Sequence, residues 1–306
     1  MSRRKRRKKE KSRKKLAFGI IAVAFILILL AYHLFFPQSN QTSQPKAAIV
    51  DQLGFKEETR NQTFTQTCKN ILETAEFSVD CYNSEDVTVD FCKNLLNGYE
   101  LIVLRVHSAL IGTTESLGLF TSEHYDPDNI PPAYYEDIAN HRLVEAYFTE
   151  EERKQGERYF AISPEFVEKY GNFENTTITM MGCDGLKYNA MAEAFIQKGA
   201  EVCIGWDGLV STYHTDRATT RLLQHLVGGN TVNEAVEETM KEVGPEKRYV
   251  QDQGYESELE YYPENAGSYT ITYILGISGM ETLRTNIVLA KEEKKGTRIN
   301  WLYACI

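Results

Sequence analysis

The sequence lacks the residue groupings that hold metals and nucleotides. Its six cysteines include no C-x-x-C pair, and none lies near a histidine at finger-like spacing, so we expect no structural zinc site. The glycines around position 182 and the Gly228-Gly229 pair do not form a phosphate-binding loop. The histidines are scattered and suggest no metal constellation. The sequence therefore predicts neither a metal nor a cofactor.

Charge is distributed unevenly along the chain, which has 306 residues and a formal net charge of -9. Residues 1–15 hold eleven Lys and Arg and one Glu, a net of +10, so residues 16–306 carry -19. A short basic end on an acidic body indicates a surface-binding tail. The acidic body argues against nucleic acid as a partner and favours basic substrates or a saline medium.

Residues 16–36 form an apolar run of 21 residues without an acid, a lysine or an arginine. At about 1.5 Å per residue, the run spans roughly the 30 Å hydrocarbon core of a bilayer. It is longer than the core of a signal peptide and lacks small residues at a cleavage site. The run predicts a transmembrane helix, and the basic residues before it place the N-terminus in the cytoplasm. Nuclear targeting or nucleic-acid binding is the alternative interpretation of the basic tail.

This orientation places the rest of the chain outside the cytoplasm, held at the cell membrane by a single helix. Three N-x-S/T sequons, at Asn40, Asn61 and Asn175, give weak support to such exposure. Residues 37–46 are polar and bounded by prolines, and they predict a flexible linker. Residues 47–306 are enough for one large domain with a substantial core.

Within this domain, apolar strands alternate with amphipathic helices, which predicts an α/β fold with a mostly parallel sheet. Residues 108–170 are less regular, and we expect a strand pair and loops there, inserted over one end of the sheet. Residues 244–306 are interpreted as a C-terminal extension. The predicted strands cover residues 47–53, 77–82, 101–106, 176–182 and 201–206, and the predicted helices cover residues 64–77, 89–96, 189–198, 214–227 and 231–243.

Two chemically reactive side chains follow the ends of predicted strands. His107 comes after the apolar run LIVLRV, and Cys183 comes after TITMMG. Open parallel sheets bind ligands outside the carboxyl ends of their strands, and free N–H groups in the turn after Cys183 can lower a thiol pKa. If the two strands are neighbours, the imidazole and the thiol meet on one rim, as a cysteine nucleophile requires. The alternative is that a histidine and a cysteine simply end two strands.

The order of these motifs resembles the caspase-like cysteine peptidases, which include caspases, gingipains, legumains, separase and the CHAT domains. A hydrophobic strand precedes His107, and a second one precedes Cys183-Asp184-Gly185. Residues 192–238 continue the likeness, and there the pattern is most similar to CHAT and separase domains. The resemblance covers about residues 47–243. It implies a caspase-like fold, a mostly parallel sheet with helices on both faces.

The resemblance also implies roles for individual residues. His107 would be the general base and Cys183 the nucleophile, while backbone N–H groups at Cys183 and around Ser108 would hold the oxyanion. Asp207 and Asp216 lie in the acidic loop that follows, and either could bind a basic P1 side chain. Solvated loop or helix-cap carboxylates are the alternative interpretation of these two acids.

Two positions depart from the usual family pattern. Ser108 follows the histidine where glycine is usual, and Gly182 precedes the cysteine where alanine is usual. Both replacements are small, so neither removes the chemistry. No pro-segment or processing site is evident.

The expected function is a membrane-anchored cysteine endopeptidase that acts on polypeptides, envelope proteins among them, outside the cytoplasm. The alternative is a non-catalytic caspase-like ectodomain that serves as a binding or sensor module. A third hypothesis, compatible with either, is that the insertion binds another envelope protein through Tyr125, Tyr134 and Tyr135.

Overall fold

The computed structural model describes residues 44–94 and 97–271. The basic tail, the apolar run predicted to cross the membrane, most of the linker and residues 272–306 lie outside this description. In the part of the chain that is described, no helix has both the length and the apolar character needed to cross a bilayer.

The described residues fold into ten strands and nine α-helices. The strands are β1 (Lys46–Asp51), β2 (Ser78–Asn83), β3 (Leu101–Arg105), β4 (Ser108–Leu110), β5 (Leu117–His124), β6 (Leu143–Ala146), β7 (Tyr159–Ile162), β8 (Thr176–Met180), β9 (Ala200–Trp206) and β10 (Leu259–Tyr262). The helices are α1 (Gln62–Thr74), α2 (Val89–Asn94), α3 (Tyr135–Ala139), α4 (Glu150–Lys154), α5 (Pro164–Tyr170), α6 (Ala190–Gln197), α7 (Thr212–Val227), α8 (Val232–Val243) and α9 (Val250–Gln253).

Six of these strands form the central sheet, in the order β2-β1-β3-β8-β9-β10. The first five run parallel to one another, and β10 is antiparallel to β9. Strands β3 and β8 are buried along their whole length. Parallel strands covered on both faces are rich in apolar and β-branched residues, as in LIVLR of β3 and TTITM of β8, which is why the sequence predicted them.

Helices cover both faces of the central sheet. Phe64 and Leu72 of α1 and Leu223 of α7 pack against Leu101 and Val103 of β3 on one face. On the opposite face, α2 and α6 contribute to the core that contains the alternate residues of the same strand. The predicted α/β class, with a largely parallel sheet and helices on both faces, is confirmed.

Each strand and helix predicted between residues 47 and 243 is present, and its described ends differ from the predicted ones by at most three residues. The insertion is more ordered than expected. Instead of one strand pair, residues 108–162 contain a four-stranded antiparallel sheet in the order β4-β5-β7-β6. Its first strand begins directly after His107, so this second sheet starts at the carboxyl edge of the central one.

The tyrosines of the insertion differ in exposure. The rings of Tyr125 and Tyr134 pack on Phe160 at centroid distances of 5.0 and 5.3 Å. Tyr134 is buried, and its hydroxyl donates to Glu123. Tyr135 is 58% exposed. Of the three tyrosines, Tyr135 therefore offers the most free surface for a partner.

The segment after α8 belongs to the domain. Residues 244–271, predicted as the start of an extension, supply α9 and the antiparallel edge strand β10. The sequence LEYY of β10 has an exposed Glu260 within it, so it gives no continuous apolar signal.

The described sequons have different environments. Asn61 caps α1 by accepting a hydrogen bond from the Phe64 N–H at 3.1 Å, and its amide donates to Asp216 at 2.9 Å. Asn175 is exposed. A glycan on Asn61 would break the contact with Asp216, whereas Asn175 is accessible. Asn40 lies outside the described residues.

Candidate active site

The central sheet has a topological switch point between β1 and β3. The chain passes from β1 to β2 on one side of β1 and then to β3 on its other side. The crevice at the carboxyl ends beside such a point is where open α/β sheets bind ligands. Gln52 and His107 meet there, and the His107 N–H donates to Gln52 Oε1 at 3.0 Å. The buried Gln52 also donates to the Thr121 carbonyl at 3.4 Å. This side chain therefore ties the end of β1 to the second sheet.

His107 and Cys183 occupy matching positions beyond the ends of β3 and β8. The parallel register pairs Leu104 with Met180, and His107 and Cys183 each lie three residues further along the chain. Neighbouring strands lie about 4.8 Å apart. The Ser108 hydroxyl donates to the Cys183 carbonyl at 2.7 Å, so the two segments are still in contact at this point.

The His107 imidazole is enclosed by aromatic rings. It stacks on Phe148 with a centroid distance of 4.6 Å and meets Phe120 edge-on at 4.5 Å. The Lys56 ammonium lies over the Phe148 ring, 3.9 Å from its centroid, and forms an ion pair with Glu152. Burial, together with the Lys56 charge, lowers the pKa of His107 to about 4, against a smaller opposing effect of Glu152. The imidazole is therefore neutral at pH 7.

The Cys183 thiol is held by the backbone of Val210. The Val210 N–H donates to the sulfur at 3.4 Å, and the sulfur lies 3.5 Å from the Val210 carbonyl. Burial raises the pKa of Cys183 above its ordinary value, although hydrogen bonding to Val210 acts in the opposite direction. The expected lowering of the thiol pKa is therefore outweighed by burial. Within the described residues, no hydrogen bond joins this thiol to the imidazole of His107.

Ser108 and Gly182 approach one another more closely than two side chains would allow. A Cβ atom at position 182 would lie 2.0 Å from Ser108 Oγ and 2.7 Å from the Val106 carbonyl oxygen. Position 182 therefore requires glycine, because a Cβ atom would clash both with the Ser108 hydroxyl and with the main chain of Val106. The predicted oxyanion donors, the backbone N–H groups of Ser108 and Cys183, belong to this same rim, where the Ser108 hydroxyl is already bound to the Cys183 carbonyl.

Asp207 lies beside the turn that carries Cys183. One of its carboxylate oxygens accepts from the Glu258 N–H at 2.7 Å. Burial raises the pKa of Asp207, and the charges of Glu258 and Asp184 add to this effect. Asp184 in turn pairs with Lys187 at 3.4 Å. A half-buried carboxylate among other acids is a suitable neighbour for a cationic side chain.

Asp216 is separated from this group and has a structural role. It is buried, and both of its oxygens accept from the guanidinium of Arg105 at 2.8 and 2.9 Å. Arg105 is fully buried and also donates to Asp51 at 2.7 Å and to the Thr59 carbonyl at 2.7 Å. Because its charge is already paired, Asp216 is a poor candidate for binding a basic P1 side chain.

Sequence reasoning missed the contributions of Arg105, Gln52 and Val210. A signal existed for Arg105, since it is a charged residue within an otherwise apolar strand and a buried charge requires a partner. Gln52 was included in the predicted first strand, although it directly follows β1 and lies at the carboxyl edge. Val210 carried no signal, because it acts through its backbone.

No protein-family model matches this chain, and no curated protein matches its sequence. Function is therefore inferred from the geometry at the ends of β3 and β8.

Proposed function

We propose that this chain is a caspase-like cysteine peptidase in which Cys183 is the nucleophile and His107 the general base. The observation that carries the proposal is the matching position of the two residues beyond neighbouring parallel strands. The contact between Ser108 and the Cys183 carbonyl supports it, because it keeps the two segments together at the rim. The site also lies next to the crevice where sheets of this kind bind ligands.

The reaction would be acyl transfer from a peptide to the enzyme and then to water. The Cys183 sulfur attacks the scissile carbonyl carbon while its proton passes to His107. His107 then protonates the leaving amine as the peptide C–N bond breaks, which leaves a thioester on Cys183. Water, deprotonated by His107, attacks the thioester, and the sulfur leaves and is reprotonated. Backbone N–H groups at Cys183 and Ser108 would stabilise the oxyanion formed in each half of the reaction.

The described conformation would be a resting state of this enzyme. The thiol contacts Val210, and the imidazole stacks on Phe148 and meets Phe120 edge-on. Catalytic hydrogen bonds are often absent or long in free enzymes and form when substrate binds. We propose that substrate binding moves Phe148 and Val210 aside, so that the imidazole and the thiol can meet.

The preferred substrate would be a polypeptide with Arg or Lys at P1. Asp207 supports this proposal, because its half-buried carboxylate lies beside the turn of the nucleophile and near Asp184. Asp216 is no longer included in the proposed substrate site. The apolar run at residues 16–36 would hold the domain at the outer face of the cell membrane, where such substrates are envelope or extracellular proteins.

The test is a peptide-library cleavage assay on the full chain in detergent micelles. We expect cleavage after Arg or Lys that is lost in Cys183→Ala and reduced by about 10²- to 10⁴-fold in His107→Ala. Asp207→Asn should lower the preference for basic P1 residues without abolishing cleavage. Cys81→Ala is the matched control, since Cys81 is a half-buried free cysteine on β2. Cleavage that persists in Cys183→Ala would overturn the proposal.

A non-catalytic binding domain is the second candidate. The observation in its favour is that the thiol pKa is raised and the imidazole pKa is lowered, which is the reverse of an activated ion pair. If no peptide is cleaved but an envelope protein binds equally well to wild type and to Cys183→Ala, this candidate is preferred.

A further inference from the structure

The contact that covers the Cys183 sulfur comes from a short loop between β9 and α7. We call residues 207–211 the capping loop. A second segment, residues 246–258, lies along this loop and includes α9; we call it the strap. The strap is closed on itself, because Glu246 and Ser257 exchange backbone hydrogen bonds of 2.9 and 3.0 Å.

The strap binds the main chain of the capping loop along most of its length. Asp207 donates its N–H to the Glu258 carbonyl at 3.0 Å, and its carbonyl accepts from the Tyr255 hydroxyl at 2.9 Å. Leu209 donates its N–H to Gln253 Oε1 at 2.8 Å. The Leu209 carbonyl accepts from the Ser257 hydroxyl at 2.7 Å. Side chains of the strap therefore satisfy polar groups of the loop residues that precede Val210.

The end of the capping loop is held by a carboxylate. Glu246 Oε2 accepts from both the N–H and the hydroxyl of Ser211, at 3.1 and 2.5 Å. Ser211 precedes α7, yet its hydroxyl binds Glu246 and does not cap the helix. Although burial opposes it, hydrogen bonding from Ser211 holds the pKa of Glu246 below its ordinary value. This end of the loop is therefore bound by a charged acceptor.

Gly208 permits the close approach of the two segments. A Cβ atom there would lie 2.6 Å from Gln253 Oε1, 2.7 Å from Ser257 Oγ and 2.9 Å from the Tyr255 hydroxyl. The Gly208 carbonyl accepts from the Asp184 N–H at 2.9 Å. The main chain of the loop is thus bound by the strap at Asp207, Leu209 and Ser211, and by the nucleophile turn at Gly208 and Val210.

We propose that the strap is a regulatory element that keeps the Cys183 thiol covered by holding the capping loop against it. While the strap is docked, both backbone polar groups of Val210 face the sulfur of the partly buried Cys183, and they hinder a reagent or a substrate carbonyl that approaches from that side. When the strap loosens, the loop loses the partners of Leu209 and Ser211, and the thiol becomes reactive. The proposal gives the proposed peptidase its means of latency, but exposure of the thiol can be measured without any peptidase activity.

The experiment measures the alkylation rate of individual cysteines in the full chain, in detergent micelles, with iodoacetamide and peptide mass spectrometry. Gln253→Ala removes the acceptor for the Leu209 N–H, and Tyr255→Phe removes the donor to the Asp207 carbonyl with little risk to the fold. Gln251→Ala is the matched control, because Gln251 is exposed in the same helix. Cys203 is completely buried and reports global unfolding within the same molecules.

We expect Gln253→Ala to alkylate Cys183 about tenfold faster than wild type, the factor that about 1.4 kcal/mol represents. Tyr255→Phe should give a smaller increase, and Gln251→Ala and the Cys203 rate should not change. Unchanged Cys183 rates in both strap variants would overturn the proposal. So would a parallel rise at Cys183 and Cys203 in each of them. Faster alkylation of Cys183 in the strap variants, without cleavage of any peptide, would support the proposed role of the strap and contradict the proposed peptidase activity.

Discussion

The Ser108 hydroxyl occupies the space that a side chain at Gly182 would need, 2.0 Å from where its Cβ atom would lie. These are the two positions at which the sequence departs from the pattern that is usual in the caspase-like peptidases it resembles. The two departures are partly complementary: the larger residue after His107 uses space left by the smaller residue before Cys183, while the Val106 carbonyl oxygen restricts position 182 independently. The Ser108 hydroxyl also donates to the Cys183 carbonyl at 2.7 Å. Serine at this position therefore adds a hydrogen bond between the segments that follow the two strands.

A double-mutant cycle tests this complementarity. Gly182→Ala should reduce the free energy of unfolding by about 1–3 kcal/mol, the usual cost of overpacking. In a Ser108→Gly background the same change should cost about 1 kcal/mol less. Part of the cost should remain, because the Val106 carbonyl oxygen also lies 2.7 Å from the new Cβ position. Urea denaturation gives the four free energies.

The control for this cycle is Gly118→Ala, since a Cβ atom at position 118 would meet its nearest neighbours at 3.4 Å and beyond, an ordinary contact. Equal costs of Gly182→Ala in the two backgrounds would show that Ser108 does not restrict position 182.

The buried guanidinium of Arg105 is predicted to be essential for stability. Arg105→Met leaves Asp51 and Asp216 without their shared cation, and breaking a buried pair in this way costs about 3–5 kcal/mol. Arg221→Met is the control, because Arg221 is half-exposed and lies 3.4 Å from Glu242, so its loss should cost less than about 1 kcal/mol. Similar denaturation midpoints for the two variants would contradict the role given to Arg105.

His107 should make folding sensitive to mild acid. Its pKa is about 4 in the folded chain, against an ordinary value of 6.5, so the unfolded state binds more protons between these two values. The stabilisation is therefore complete above about pH 6.5 and is lost as the pH falls toward 4. His107→Phe should flatten this part of the stability profile, measured by thermal unfolding at a series of pH values.

The aromatic stack provides a direct check on the same group. Phe148→Ala opens one side of the imidazole to water and should raise the pKa of His107 toward its ordinary value, as followed by NMR titration of the ring protons. Titration of His107 near pH 6.5 in wild type would show that the stack does not enclose it.

The sequence predicted the parallel strands well because burial on both faces favours apolar and β-branched residues, as in LIVLR of β3 and TTITM of β8. It located none of the four strands of the insertion, where only a strand pair without bounds was expected, and it did not identify β10. Of these strands, β6, β7 and β10 are only four residues long, and β6 and β10 also contain glutamates. A segment of four residues is too short to show a clear hydrophobic periodicity. Its pairing is decided by strands that are distant in the sequence.

The two strand-end residues of the candidate site were predicted for a similar reason. His107 and Cys183 follow apolar runs, and strand ends of a parallel sheet share one edge. The environment of each side chain was beyond prediction. Phe148 reaches His107 from the insertion, and the partners of the capping loop come from residues about 40 positions later. Asp216 was predicted to bind substrate because its partner, Arg105, is 111 residues away in the sequence, so the ion pair could not be recognised.

The most direct test of the account is covalent capture of Cys183 by a peptide acyloxymethyl ketone with Arg at P1, timed by intact mass on the full chain. We expect modification at Cys183 alone, and a rate about 100-fold lower in His107→Ala, because the base is needed to form the thiolate. The capping loop slows modification equally in wild type and in His107→Ala if the substitution leaves this loop unchanged. Its effect therefore cancels in the ratio of the two rates. Modification at equal rates in wild type and His107→Ala, or no modification of Cys183, would contradict the proposed pair.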